Sequence, residues 1–258
     1  MNKKFGNFNT ADFIKKIFSR ENKHLKKRIF SNQFFTVEKT ENIWQKYFRF
    51  IPLKLQLPLK KYGLDKKKVL DVGSAWGEFL IHFGSGSKGI EINEKEVNFS
   101  RALGLDVSQY NIEDEWREAP ESFDAIWFSN VLEHVAAPHA VLRNFHKTLK
   151  PDSLLFVRVP TIPSNFLFIC LNRIFLGFLG FEAKQHINAF TRRTLEFTIK
   201  RAGFEIVESN IFLPPIGWLS RLFNFFLKDA FSFITVVARK KNFDYSEKRP
   251  LIHNPKWI

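Results

Sequence analysis

Cysteine is almost absent: Cys170 is the only one in 258 residues. No internal disulfide can form, and one cysteine with seven dispersed histidines offers no zinc-ligand spacing. A reducing compartment and a chain with no bound metal are expected. Long apolar runs are missing too. No stretch reaches the ~18 uninterrupted apolar residues of a spanning helix, and MNKKFGNFNTADF has no apolar segment of signal-peptide length. The expectation is a cytoplasmic protein, peripheral at the inner membrane face if it meets lipid at all. The length suits one α/β core and leaves little for a second compact domain.

Acidic residues are scarce at one end only. Residues 1–68 hold 18 Lys/Arg against 5 Asp/Glu, whereas the remainder holds 22 against 21. The net charge of +14 therefore belongs to an N-terminal arm. Such an arm suits an anionic surface, phospholipid or nucleic acid, and equally a solvated tail. Between Thr10 and Phe30, Phe13, Ile14, Ile17, Phe18, Leu25 and Ile29 fall near helical spacing among Lys and Arg, which reads as a basic amphipathic helix. Packing on the protein's own core as an arm or lid is the first reading of that stripe, and lying in a lipid interface through residues 1–30 the second.

From Lys68 onward, short apolar runs alternate with helical patterns, the signature of βαβ units. Strands are predicted at 69–72, 88–92, 124–128 and 154–159, a weaker one at 105–109, and two late ones at 205–208 and 232–238. Helices are predicted at 77–83, 95–103, 138–149 and 191–202. The organisation is thus a basic helical arm or lid over 1–65, an α/β domain over 66–242 and a tail over 243–258. Two greasy segments, 161–185 and 212–231, break the rhythm of the domain. Each is interrupted by charge, so they read as added core, a membrane contact or the cap of an apolar acceptor pocket.

The chemistry concentrates in VLDVGSAWGEFL, residues 69–80: a buried strand, an acid at its end, two glycines four apart, then an expected helix. Gly73 and Gly77 let the backbone turn tightly and approach a ligand. Twenty residues after Asp71 the strand GIEI carries Glu91, placed to accept hydrogen bonds from two ribose hydroxyls. Dinucleotides are held by G-x-G-x-x-G and bring a pyrophosphate. Here Ala75 and Glu78 stand where the second and third glycines would, and Asp71 would repel a pyrophosphate. A ligand with an ammonium and a sulfonium fits the acid instead, which selects S-adenosylmethionine over a nicotinamide cofactor.

These blocks resemble the class I S-adenosylmethionine-dependent methyltransferases, in the group that includes ubiquinone-pathway and lipid or sugar enzymes. The resemblance spans about residues 66–240: VLDVGSAWGEFL, GIEIN, NIEDEW, SFDAIWFSNVLEHV, RNFHKTLKPDSLLFVRVPT and KQHINAFTRRTLEFTIKRAGFEIVE occur in the family's order. It implies a Rossmann-like fold, a mostly parallel seven-stranded sheet with helices on both faces. It further implies a cofactor site of Asp71, Gly73, Ser74, Gly77, Glu91, Asn111, Ile112, Ser129 and Asn130. Ala75 replaces the family's usual glycine and Trp76 is bulky beside it, which touches the fit at the methionine end. Asn111 stands where Asp is commoner.

Methyl transfer to a hydroxyl needs alignment and removal of a proton. His186, opening the last helix block after the insertion, is the candidate base, with a loop-ordering role as the alternative. His134 is expected to order the turn after the fourth strand, and His139 and His146 to be structural. The expected activity is methylation of a hydroxyl on a small or lipid-like acceptor such as a quinone, lipid or sugar. The alternatives are an RNA methyltransferase using the basic arm, disfavoured by the lack of an RNA-binding module, and a cofactor-binding protein that has lost catalysis.

Overall fold

The structure, a computed structural model, describes residues 53–160, 186–212 and 233–241. The expected arm helix at 10–30, the segment 161–185, nearly all of 212–231 and the tail lie outside the described residues. Seven strands form one sheet: β1 (Val69–Val72), β2 (Lys88–Glu91), β3 (Val107–Gln109), β4 (Phe123–Ser129), β5 (Leu149–Pro160), β6 (Phe204–Phe212) and β7 (Phe233–Lys240). Their order is β3-β2-β1-β4-β5-β7-β6. All neighbours pair in parallel except at β7, which is antiparallel to both β5 and β6. This is the expected mostly parallel sheet. Its order reverses between β1 and β4, and a crevice opens at the carboxyl ends of strands at such a switch point.

Alternation along each strand sends side chains to two cores. Leu70, Val72, Ile126, Phe128, Leu155 and Val157 face α3 (Pro138–Thr148) and α4 (Arg192–Arg201), which bury Phe145, Leu195 and Ile199. Val69, Trp127 and Phe156 face the other way, toward Leu55 and Leu59 of α1 (Leu53–Tyr62) and Val97 of α2 (Glu94–Ala102). The helices therefore cover both faces. Phe145 is sealed between Phe128 and Trp116, with ring centroids 4.8 and 5.3 Å away. Burying such a ring contributes roughly 1.5–3 kcal/mol. Local sequence fixes the helix starts: the Asn93 side chain accepts from the Lys95 amide at 3.0 Å, and Thr191 forms a capping box with Thr194.

One expected element is corrected. Residues 77–83 are not a helix; only Leu80–His82 make a 3₁₀ turn. Phe79, Leu80, Ile81, His82 and Phe83 are all buried, so no face is left for solvent, and the run is too short to repay helix nucleation. The amides expected at that helix's start therefore belong to a loop. Strand β5 also begins earlier than expected: Leu149 already pairs with Phe123, and Asp152 turns the chain at φ 60° before the main ladder. Strand β6 runs four residues past its predicted end, paired with β7 throughout. The histidines behave as expected of structural groups. Nε2 of His146 meets the Lys241 carbonyl at 2.8 Å and that of His139 the Arg201 carbonyl at 3.0 Å.

His82 is buried and its pKa is pushed down to about 4 by desolvation. The unfolded chain takes up a proton near the ordinary ~6.5 and the native state does not until lower pH. This group therefore contributes stability above pH ~6.5 that is lost as pH falls toward 4. Urea titrations at pH 7.5 and 4.5 are expected to show a smaller acid loss in His82→Gln than in the wild type, by up to about 3 kcal/mol; equal losses would show that His82 carries no such penalty.

Candidate functional site

At the carboxyl ends of β1 and β2 the chain gathers acids around a tight loop. Asp71 is buried in β1 and Glu91 ends β2. The two strands pair so that Asp71 lies beside Gly89, two residues before Glu91. The loop runs Gly73–Ser74–Ala75–Trp76–Gly77, and the amides of Gly73 and Ser74 both donate to the Ile90 carbonyl, at 2.8 and 3.0 Å. Gly73 and Gly77 hold φ 73° and 83°. A Cβ on Gly73 would lie 2.3 Å from Cγ2 of Val131, so this glycine lets the loop touch the residue just past the end of β4. Ala75 holds φ 46° without being glycine. Its carbonyl accepts from Ser100 Oγ at 3.3 Å, and Trp76 packs edge-on against Phe99, so α2 pins the loop in this conformation.

Glu91 ties the loop to the sheet. Its Oε2 accepts from the Ala75 amide at 2.9 Å, and Oε1 from the Ile92 and Asn93 amides at 2.8 and 2.9 Å. Three of about four acceptor positions on the carboxylate are used, which leaves room for a hydroxyl. Two further acids, Glu78 and Glu96, stand near it and were missed from sequence. The Glu96 carboxyl is pushed up to about 7 by burial, then by repulsion from Glu91 and Glu78. An acid in the first turn of a helix that follows a ribose-binding acid was the available signal.

The remaining expected residues fall at neighbouring strand ends. Asn111 and Ile112 follow β3; Ile112 is buried, and Asn111 is engaged locally, its Oδ1 accepting from the Glu113 amide and its Nδ2 donating to Asp114. Ser129 ends β4, and Asn130 follows at φ 59°, its amide donating to the Arg158 carbonyl at 2.8 Å. Two buried hydroxyls, Ser74 Oγ and Ser129 Oγ, have no hydrogen-bond partner among the described residues. The structure thus joins Asp71, Gly73, Ser74, Gly77 and Glu91 directly and places Ser129 and Asn130 across the crevice, while Asn111 and Ile112 sit at its β3 side.

His186 lies beyond β4. The backbone amides of Ile187 and Asn188 donate to the Glu133 carbonyl at 3.0 and 2.9 Å, and Asn188 Nδ2 donates to the Val135 carbonyl. These bonds hold His186 against the 3₁₀ turn Leu132–His134, where its ring meets that of His134 edge-on at 4.8 Å. Burial, then the positive potential of His134, lowers the His186 pKa below the ordinary value. Glu133, His134 and His186 offer one ligand atom each within 4.8 Å of one another, an arrangement able to receive a cation that sequence spacing had not suggested. Burial raises the Glu133 carboxyl, favouring its neutral form and weakening it as a ligand.

An acid-rich crevice at the switch point of a seven-stranded sheet, with a glycine loop closed on a ribose-type acid, defines a class I S-adenosylmethionine-dependent methyltransferase. Residues 43–209 match the family profile described as methyltransferase domain, and the chain belongs to that family. S-adenosylmethionine is its cofactor. Among curated relatives, the ubiquinone biosynthesis O-methyltransferase of Pseudomonas aeruginosa (strain LESB58) is 28% identical over 180 residues, covering 63% of this chain and 78% of that protein. The fold is shared with an S-adenosylmethionine-dependent methyltransferase from Thermotoga maritima, at TM-score 0.54 and 19% identity over 84% of this chain and 99% of that one. A Mesorhizobium loti methyltransferase aligns at TM-score 0.53 and 19% identity over 71% and 96% of the two chains. The residues present fit the cofactor. Four carboxylates, one with its pKa raised by burial and then by repulsion from Glu91 and Glu78, suit a positive ligand, and the bound cofactor brings a sulfonium carrying an activated methyl group.

Calorimetric titration is expected to give micromolar-range affinity for S-adenosylmethionine. Asp71→Asn and Glu91→Gln are each expected to weaken it at least tenfold while the protein stays folded. Unchanged affinity in both folded variants would remove these acids from the cofactor site.

Proposed function

We propose that the enzyme transfers the methyl group to a hydroxyl of a small or lipid-like acceptor, and that His186 accepts the hydroxyl proton. The observation that carries this reading is the position of His186, tied to the Glu133 carbonyl through the next two amides and set edge-on to His134 at 4.8 Å just past β4, where burial and then His134 lower its pKa. A neutral histidine has a ring nitrogen able to take a proton, as O-methylation requires and transfer to a neutral amine does not, and a lowered pKa favours that form. The O-methyltransferase name of the Pseudomonas relative supports a hydroxyl. In this reading Asp71, Gly73, Ser74, Gly77, Glu91, Asn111 and Ile112 hold the cofactor, with Ser129 and Asn130 at its methionine end.

The sheet supports a side for the acceptor. Segment 161–185 leaves from Pro160 at the carboxyl end of β5 and returns at His186. Residues 213–232 leave from Phe212, the end of β6, and return at Phe233, where β7 begins. Because β7 runs antiparallel to its neighbours, both excursions start and finish at the edge that carries the crevice. That supports apolar insertions on the acceptor side. No helix among the described residues is long and apolar enough to cross a membrane; membrane contact by the arm is a separate proposal, read by vesicle flotation with and without residues 1–30.

Mass analysis of products from a panel of catechols, hydroxyquinones and amines is expected to show O-methylation. With the hydroxyl acceptor turned over fastest, His186→Gln is expected to lower kcat by roughly 10²–10⁴-fold with the S-adenosylmethionine affinity unchanged. The acid limb of kcat/KM in the wild type should bend below the ordinary histidine value of ~6.5, since the pKa is lowered. A His186→Gln enzyme within twofold of wild type, or N-methylated products alone, would overturn this reading.

A further inference from the structure

On the β4–β5 side of the crevice the structure places one half-buried cation. Arg158 is paired in register with Ser129 of β4 and Thr235 of β7. In a parallel pair, residues in register point to the same face. Trp127 and Phe156, the pair two residues back, lie in the α1-side core, so Ser129 and Arg158 project from that face toward the carboxyl edge. Asp71 projects from the same face of β1, because Val69 belongs to that core. The acids of the cofactor crevice and Arg158 thus stand on one surface, separated by β4. At about 4.8 Å per strand the guanidinium's strand lies about 10 Å across from that of Asp71.

The surroundings of Arg158 suit a guest. Its guanidinium lies 3.9 Å from the centre of the Phe233 ring, a cation–π stack. No ion pair to it is found among the described residues. A stacked guanidinium keeps its N–H edge free, and that planar fork matches a carboxylate or phosphate with two parallel bonds. Desolvation lowers its pKa to about 10, so it stays charged at neutral pH while lacking full hydration. A charge so placed costs free energy until an opposite charge arrives. On this face of the sheet, Tyr62 Oη and Trp127 Nε1 in the core and Ser129 Oγ beside Arg158 in register are buried without hydrogen-bond partners among the described residues. Tyr62 packs edge-on against Phe156, two residues before Arg158. An unsatisfied hydroxyl at Ser129, in register with an underhydrated cation, suits a polar ligand.

We propose that Arg158 is the specificity residue of the acceptor site, binding an oxyanion carried by the acceptor, carboxylate or phosphate, with Phe233 as its platform. This rests on the reading of the β4–β5 side as the acceptor's. It narrows the substrate class to a hydroxyl compound bearing an acidic group. The rival anion is the carboxylate of the cofactor itself, which the cofactor affinity of the Arg158 variants tells apart.

The test is binding to the full chain saturated with S-adenosylhomocysteine, using benzoate, phenyl phosphate and neutral benzamide. At least one anion is expected to bind tenfold or more tightly than benzamide, and which one wins distinguishes carboxylate from phosphate. Arg158→Gln and Arg158→Met are expected to abolish the preference, with S-adenosylmethionine affinity within twofold of wild type; either folded variant decides. Phe233→Leu, which keeps the charge, should weaken the anion by a fewfold. No preference in the wild type, a preference that survives loss of the guanidinium, or a tenfold loss of cofactor affinity in both variants would each overturn the proposal. The measurement needs no turnover, so failure of the hydroxyl-methylation reading shows separately, in the product analysis.

Discussion

The contact between Glu91 and the loop that follows β1 is the constraint on which the site depends. One carboxylate takes amides from the loop at Ala75 and from its own strand end at Ile92 and Asn93. Charge-assisted bonds of this kind are about twice as strong as neutral ones, so they fix the acid and the loop together. Further supports of the loop come from the Ile90 carbonyl of β2, from Ser100 and Phe99 of α2 behind it, and from Val131 after β4 against Gly73. Binding chemistry at β2 is thereby coupled in space to the strand that leads to His134 and His186.

Strand order supplies the division of labour. The reversal between β1 and β4 opens the crevice. Acids crowd its β1–β2 side, and polar groups without partners, with one arginine, occupy the β4–β5 side. Formal charge therefore changes sign across β4, a distance comparable with a Debye length at physiological salt, where partly buried charges are screened little. A positively charged cofactor and an acidic acceptor would each be drawn to its own half.

The fold was legible because its signals are local. Buried β-branched runs such as Val69–Val72, the alternation of strand and helix, and caps such as Asn93 and Thr191 are written within a few neighbouring residues. The cluster of Asp71, the two glycines and Glu91 was legible for the same reason, since they fall on two consecutive strands and the loop between them. The run at 77–83 misled because its composition is helical while its surroundings bury every side of it. The other half of the site is tertiary. Arg158 reads from sequence as an outward residue of an alternating strand, and its meaning comes from Phe233 on a strand far along the chain. The meeting of Glu133, His134 and His186 likewise joins a turn after β4 to the approach of α4.

The central claim is that an excess of carboxylate, sensed by Glu96 with its pKa near 7, recognises positive charge on the cofactor. Proton release on binding measures it most directly, by calorimetry at pH 7 in buffers of different ionisation enthalpy. Arrival of a sulfonium should lower the Glu96 pKa, so S-adenosylmethionine should release a larger fraction of a proton than the uncharged thioether S-adenosylhomocysteine, and the difference should vanish in Glu96→Gln. Equal proton release for the two ligands by the wild type would contradict the account.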